Sequence, residues 1–189
     1  MMAVDAAESI IIKQGLDKVN ARSIAKHMGY APGTIYVVFK NLTDLKLHVN
    51  LRTLARLQEA LEDSVKRCRT PESCIKKMAQ AYCQFAFDNK SLWTLLYSIH
   101  LPGTDIPSWY REKIEQVFSL VEAQLPDVFK TNKDKFTTAR TLWSGVHGIC
   151  VLAITDKLAI TNISSTNVLI DSLIDNYMFG LRHAQGKVA

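Results

Sequence analysis

Eight cations crowd the first third of the chain. Lys13, Lys18, Arg22, Lys26, Lys40, Lys46, Arg52 and Arg56 stand against only 4 acidic residues within residues 1–56, whereas residues 57–189 hold 15 Lys/Arg against 14 Asp/Glu. Nearly all of the formal net charge of +5 therefore sits at one end. A basic segment attached to a near-neutral remainder is the electrostatic footprint of a module that binds a polyanion, the alternative being a solvated surface.

A second concentration is aromatic. Met78, Tyr82, Phe85, Phe87, Trp93, Tyr97, His100, Trp109 and Phe118 are followed by Trp143 and His147. Rings at helical spacing build either a core or the wall of an apolar site with a few orienting polar groups. The chemistry of catalysis is not visible in the same way. His27, His48, His100, His147 and His183 are scattered without the spacing of a metalloprotease helix, no glycine-rich phosphate loop follows a strand, and no nucleophile stands with a base. No enzymatic site, metal or cofactor is expected. Cys68, Cys74, Cys83 and Cys150 form no CxxC pair and are expected to be reduced core or surface thiols.

The elements that must position these residues read as helices throughout. Val4 to Gln14 places Ala6, Ala7, Ile10 and Ile11 at helical spacing, with Gly15 as a stop. Asn20 suits the N-cap of a short second helix carrying Ile24, Ala25 and Met28, which Gly29 ends. Pro32 suits the first turn of a third helix running through Ile35, Tyr36 and Phe39. Two short helices joined by a glycine turn form either a helix-turn-helix or a plain helical hairpin. Thr43 is expected to cap a long fourth helix with Asp44 in its first turn and Leu47, Leu51, Leu54, Leu57 and Leu61 along one face. Further helices are expected at about 72–88, 91–100, 108–125, 134–157 and 165–183. They are separated by Asn89-Lys90, by residues 101–107, by Pro126-Asp127 and by Thr161-Asn162 leading into Ser164-Ser165. The fold class is all-α, with a small head over residues 1–48 joined by a long helix to a body over 49–189. Ile10-Ile11-Ile12 is too short for a signal peptide and no run reaches the ~18 apolar residues of a membrane span, so a cytoplasmic protein without membrane contact is expected.

Helix 2, the turn and helix 3 read Asn20-Ala21-Arg22-Ser23-Ile24-Ala25-Lys26-His27-Met28-Gly29-Tyr30-Ala31-Pro32-Gly33-Thr34-Ile35-Tyr36-Val37-Val38-Phe39, followed by Lys40-Asn41-Leu42-Thr43-Asp44-Leu45. This resembles the DNA-binding head of the TetR (tetracycline-repressor) family. The Ile-Ala pair of helix 2, Gly29, the Gly33-Thr34-Ile35-Tyr36 core of helix 3, Phe39 and the Lys-Asn-Leu-Thr-Asp-Leu entry to helix 4 carry the likeness. Trp143-Ser144-Gly145-Val146-His147-Gly148 is similar to a Trp-x-x-x-His-Gly signature in the C-terminal domain of one branch of that family.

The resemblance implies a transcription regulator, usually a repressor, that binds a palindromic double-stranded operator as a homodimer under the control of a small hydrophobic or aromatic effector. It places Pro32, Thr34, Tyr36 and Val37 against base edges, and Arg22, Ser23, Thr34, Tyr36, Lys40 and Lys46 against phosphates. It implies an effector site among Tyr82, Phe85, Trp93, Tyr97, His100, Trp109, Trp143 and His147. It also implies a dimer face from Leu142, Ile149, Ala153, Leu169, Leu173, Tyr177, Met178 and Leu181. Ala31 stands where the family usually has Ser and Val38 where it often has His, so each removes a polar contact. These two departures, with a reading helix poor in Arg, Asn and Gln, are what favours the alternative of a helical protein-interaction module with a degenerate head. Helix glycines at 145 and 148 cost about 1 kcal/mol each, which is easier to explain if another backbone packs close by.

Overall fold

Ile35 and Phe39 lie four residues apart, one turn of helix, and both are buried in a cluster with Ile10, Ile11, Ile24, Leu45 and Val49. Around that cluster the head assembles. The computed structural model describes residues 2–100, 106–127, 129, 131–161 and 165–184. Of the expected breaks, residues 101–105, Asn162 and Ser164 lie outside the described residues. The described chain is all-α: α1 (Met2–Gln14), α2 (Ala21–Met28), α3 (Ile35–Val38), α4 (Leu42–Val65), α5 (Pro71–Asp88), α6 (Lys90–Ser98), α7 (Ser108–Gln124), α8 (Asn132–Ile154) and α9 (Thr166–Ala184). Short 3-10 turns occupy Leu16–Lys18, Pro32–Thr34 and Leu158–Thr161.

The chain divides into two compact units. One comprises the residues up to Arg56 with Asn89–Ile114, the other Leu57–Asp88 with the residues from Glu115 onward. α6 and the first turns of α7 fall in the same compact unit as α1 to α3 and the start of α4. The reason is packing: Leu92 and Leu95 of α6 are buried in the same apolar cluster as α1 and α2.

Local signals in the head act as their chemistry requires. The Asn20 side chain accepts a hydrogen bond from the Ser23 N–H at 2.9 Å, and the Ser23 hydroxyl accepts one from the Asn20 N–H at 3.1 Å, closing a capping box on α2. Gly29 ends α2 at φ 75°, ψ 26°, a left-handed conformation that a Cβ would strain. The third helix is shorter than expected. Pro32-Gly33-Thr34 forms a 3-10 turn, and Phe39 is already extended, at φ −112° and ψ 136°. Thr43 is not the cap of α4. Asn41 is: its side chain accepts from the Asp44 N–H at 2.9 Å, while Asp44 reaches back to accept from the Lys40 N–H at 3.0 Å.

Polar links join α4 to its neighbours in the head. Glu8, buried on α1, meets Arg56 at 2.5 Å and Arg52 at 3.5 Å, and Arg52 also pairs with Asp5. Asn50 is fully buried and donates to the Leu95 carbonyl at 3.4 Å and to the Tyr110 hydroxyl at 3.3 Å, leaving its own Oδ1 without a hydrogen bond. Burial pushes the Tyr110 hydroxyl up from its ordinary pKa.

In the second unit α9 packs on α5 and α8. Ile75, Met78, Leu142, Val146, Ile170, Ile174 and Met178 are buried. At Gly145 the neighbour is a side chain rather than a backbone: a Cβ there would sit 2.7 Å from Leu173 Cδ2, whereas nothing lies within 4 Å at Gly148. Lys76 bonds Asp175 at 2.8 Å and Arg182 bonds Glu72 at 2.5 Å, tying α5 to α9.

One expectation is overturned here. Cys68 and Cys74 are joined by a disulfide across the turn from α4 to α5, with Cα atoms 5.2 Å apart, while Cys83 and Cys150 are free and buried. Thr70 and Ser73 cap α5 reciprocally at 3.2 Å, folding the chain back so that the two cysteines meet.

Replacing Asn20 by Ala removes one half of the α2 box at a cost of about 1 kcal/mol. For a chain of this size that lowers Tm by about 2–4 °C. Thermal melts followed by circular dichroism check this, and an unchanged Tm would show that α2 holds its start without the cap.

Candidate functional site

Between the buried Ile35 and Phe39, three large apolar side chains turn outward. Tyr36 is 54 % exposed, Val37 83 % and Val38 73 %. Burying a side chain of this kind is worth about 1.5–3 kcal/mol, so a contiguous trio left in water marks a contact surface. Around it Arg22, Pro32 and Lys40 are exposed, and Thr34 and Lys46 are half-buried. Ser23 is placed differently from the others. Its hydroxyl proton is committed to the carbonyls of Lys18 (2.7 Å) and Asn20 (2.9 Å), so it serves the α2 cap. Tyr30, 52 % exposed at the turn, and the exposed Lys26 and His27 on α2 were not among the expected site residues. Tyr30 carried a signal: it sits between Gly29 and Pro32, where no helix face can shelter a ring.

The expected effector residues fall into two sets. Trp93, Tyr97, His100 and Trp109 belong to the head unit, where Trp93 and Tyr97 pair one turn apart on α6 at 4.9 Å. His100 is exposed beyond the end of α6. Trp109 stacks on His48 at 4.6 Å, and His48 also meets Phe39 edge-on at 5.4 Å. Position alone gave His48 no distinction within α4.

Tyr82, Phe85, Trp143 and His147 belong to the second unit. There the Tyr82 hydroxyl lies 2.8 Å from His147 Nδ1, the His147 ring stacks on Trp143 at 5.2 Å, and Phe118 meets Trp143 edge-on at 5.6 Å. Burial pushes the His147 imidazolium down from its ordinary value of 6.5, so the ring is neutral and Nδ1 either accepts from Tyr82 or donates to it, according to tautomer. Beside this row, Arg140 lies over the Phe118 ring at 4.2 Å and the Phe136 ring at 3.4 Å, and it pairs with Glu115 and Glu122. The arrangement is a wall of rings with a neutral hydrogen-bonding pair, suited to orienting an apolar molecule that carries one polar group.

The expected dimer face divides as well. Leu142, Ala153 and Met178 are buried within the single chain, and Ile149, Leu169, Leu173, Tyr177 and Leu181 are half-buried. The exposed large apolar residues of these helices are instead Phe136, Val151 and Leu152 on α8 and Val168 and Phe179 on α9. Residues 142 and 178 point inward because the α5–α8–α9 core needs them. Among the described residues no group of three or more His, Cys, Asp or Glu could hold a metal ion, and no helix is long and apolar enough to cross a membrane.

Comparison with known proteins decides the family. The profile described as "Bacterial regulatory proteins, tetR family" matches residues 3–49, and the one described as "Tetracyclin repressor-like, C-terminal domain" matches residues 75–177. The chain belongs to the TetR family. This TetR-family chain is 29 % identical over 153 residues to YobS, an HTH-type transcriptional regulator of Bacillus subtilis, spanning 80 % of this chain and 76 % of that one. Its fold is similar to a protein from Rhodococcus sp. RHA1 (TM-score 0.76, 22 % identity, 95 % and 93 % of the two chains). It is also similar to the fatty acid degradation regulator FadR from Bacillus halodurans (TM-score 0.64, 17 % identity, 92 % and 91 %). The TetR-family chain is thus a DNA-binding transcription regulator.

Two measurements probe the Tyr82–His147 pair. Tyr82→Phe deletes a partly buried hydrogen bond and is expected to cost about 1 kcal/mol. His147, held neutral when folded, contributes stability above its unfolded pKa that is lost as pH falls, because the unfolded chain takes up the proton that the folded chain resists. Wild-type Tm should therefore drop more steeply from pH 7.5 to 5 than that of His147→Gln. Parallel curves would show that the imidazole is not held neutral by the fold.

Proposed function

We propose that this TetR-family regulator binds a palindromic operator as a cytoplasmic homodimer and represses transcription until a small hydrophobic or aromatic effector enters the second unit. The observation that carries the DNA reading is the outward trio Tyr36, Val37 and Val38, held on the buried Ile35 and Phe39 within the basic end of the chain. Tyr36 and Val37, with Pro32 and Thr34, are the base-edge and sugar contacts. With no Arg, Asn or Gln on α3, readout rests on thymine methyl groups and on the shape of the groove. Arg22, Thr34, Tyr36, Lys40 and Lys46 supply the grip on phosphates. Ser23 contributes by capping α2.

Exposed apolar surface supports the dimer. Gly148, Val151 and Leu152 share one face of α8, and Val168 and Phe179, eleven residues apart and so three turns along, share one face of α9. Gly148 has open space around it, which is where a partner helix could approach closely. Two heads one helical turn of DNA apart, ~34–36 Å, would then read the two half-sites. The effector reading rests on Tyr82, Trp143 and His147 with Phe118. An effector acts only as far as its affinity differs between the DNA-competent and DNA-incompetent states.

Salt-titrated binding to the chain's own upstream DNA, against a scrambled duplex of equal length, tests this. Preferential binding is expected. Tyr36→Ala should weaken it about tenfold, or ~1.4 kcal/mol, without changing Tm. Lys46→Ala should lower the slope of log K against log salt by about one. Equal weak binding to both duplexes, with Tyr36→Ala indistinguishable from wild type, would move the assignment to a protein-interaction module. For the dimer, Phe179→Lys should yield a folded monomer on analytical ultracentrifugation, and a dimer persisting unchanged would place the interface elsewhere.

A further inference from the structure

The disulfide at the α4–α5 corner has no part in reading DNA or holding an effector. A regulator that works on DNA in the cytoplasm lives among reducing thiols, where a stable structural disulfide is rare and a cysteine pair that meets is a reversible one. For that compartment alone the inference rests on the proposed function.

We infer that Cys68 and Cys74 form a thiol–disulfide modification site that is oxidised by hydroperoxides and reset by dithiol reductants, with Cys68 as the attacking sulfur. Three observations carry it. The two cysteines are already juxtaposed, six residues apart in sequence with Cα atoms 5.2 Å apart, so no rearrangement is needed to join them. They are unequal in access: Cys68 is half-buried at the turn, whereas Cys74 is 6 % exposed in the first turn of α5. And Cys68 has cationic neighbours in sequence: Arg67 and Arg69 flank it, and Lys77 reaches the Arg67 carbonyl at 3.5 Å, while Lys66, two residues before, is paired with Asp63. Full positive charges close to a thiol favour the thiolate, the form that attacks peroxides and disulfides. They oppose the partial negative charge, about half a unit, at the carbonyl end of α4.

The chemistry balances with a hydroperoxide as oxidant. The Cys68 thiolate attacks one peroxide oxygen, the O–O bond breaks, and the leaving oxygen departs as water (or an alcohol) after taking a proton, leaving a sulfenic acid on Cys68. Cys74 sulfur then attacks the Cys68 sulfur, the S–O bond breaks, and a second water leaves with the Cys74 proton. Two thiols are oxidised and one peroxide is reduced. A dithiol reductant reverses the change by exchange, opening the S–S bond and itself becoming a disulfide. Cys83 and Cys150, in contact with each other, are a built-in comparison: both are buried, and their mutual hydrogen bond pushes Cys150 up and Cys83 down, so the comparison rests on their burial. They lack both the access and the cations.

The full chain, reduced and freed of reductant, is treated with increasing hydrogen peroxide and read by intact mass and thiol count. The expected result is loss of two thiols and of two hydrogens in mass, with the bond mapped to Cys68–Cys74. The expected C74S protein captures a dimedone adduct on Cys68, and C68S captures none at the same peroxide. A C83S/C150S double variant should titrate as wild type, and circular dichroism confirms that each variant is folded. Closing this short ring should also raise Tm by several degrees over the dithiol form. The inference is overturned if C68S loses thiols as fast as wild type, if the bond maps to Cys83–Cys150, or if peroxide that oxidises a free-cysteine peptide leaves the pair untouched. The experiment contains no DNA, so a failure of operator binding and a failure of this site are read separately.

Discussion

A helix of four residues has no stability of its own, since nucleation costs more than one turn of hydrogen bonds returns. Everything that α3 presents outward therefore depends on Ile35 and Phe39 being held by α1, α2 and the start of α4. Within a five-residue stretch, two anchoring residues bracket three displayed ones. Because of that, the orientation of Tyr36 and Val37 is set by the packing of a core rather than by the helix itself. The apolar face of α1, the capping box on α2 and the left-handed Gly29 all serve this end by fixing the angle at which the chain enters the 3-10 turn at Pro32. The Glu8 clamp to Arg52 and Arg56 holds α1 against α4 from the other side. With Asp5, which also pairs with Arg52, it offsets the charge of two of the head's cations.

The second unit uses a different logic. Its core is apolar where α5, α8 and α9 meet, but a row of rings and one neutral Tyr–His pair run through it beside a guanidinium held between two rings and two carboxylates. Such a row keeps the Tyr82 hydroxyl, His147 Nδ1 and the Arg140 guanidinium paired, which lowers the cost of burying them in part. A molecule entering there would exchange hydrogen bonds rather than break them.

Much of this was legible in the sequence because the signals are local. Asn20, Gly29 and Pro32 announce a cap, a stop and a start through properties of single residues. The long helices were visible from apolar spacing to within a few residues at each end. Asn41 and Thr43 are both good caps, and only the three-dimensional path of Lys40 shows which one faces the open N–H groups. The cysteine pair carried no signal, because a five-residue gap between cysteines has no typical meaning and the Thr70–Ser73 box that brings them together acts through the backbone. The packing of α6 with α1 and α2 was hidden for a similar reason. Leu92 and Leu95 read as any apolar helix does, and sequence periodicity shows which face is buried without showing against what. The same limit applies to Leu142 and Met178, whose apolar stripes are satisfied inside the chain.

Asn50 joins three helices of the head, yet its Oδ1 is left without a donor. A buried acceptor in that state costs about 1–3 kcal/mol relative to one that is bonded. Any fluctuation that parts α6 or α7 from α4 lets water reach the oxygen and recovers some of that cost, so the corner breathes at a lower price than an apolar contact of equal area would. A leucine there would weld the corner shut. The asparagine instead lowers the cost of a partial opening there, two residues along α4 from the His48 that meets Phe39 at the end of α3.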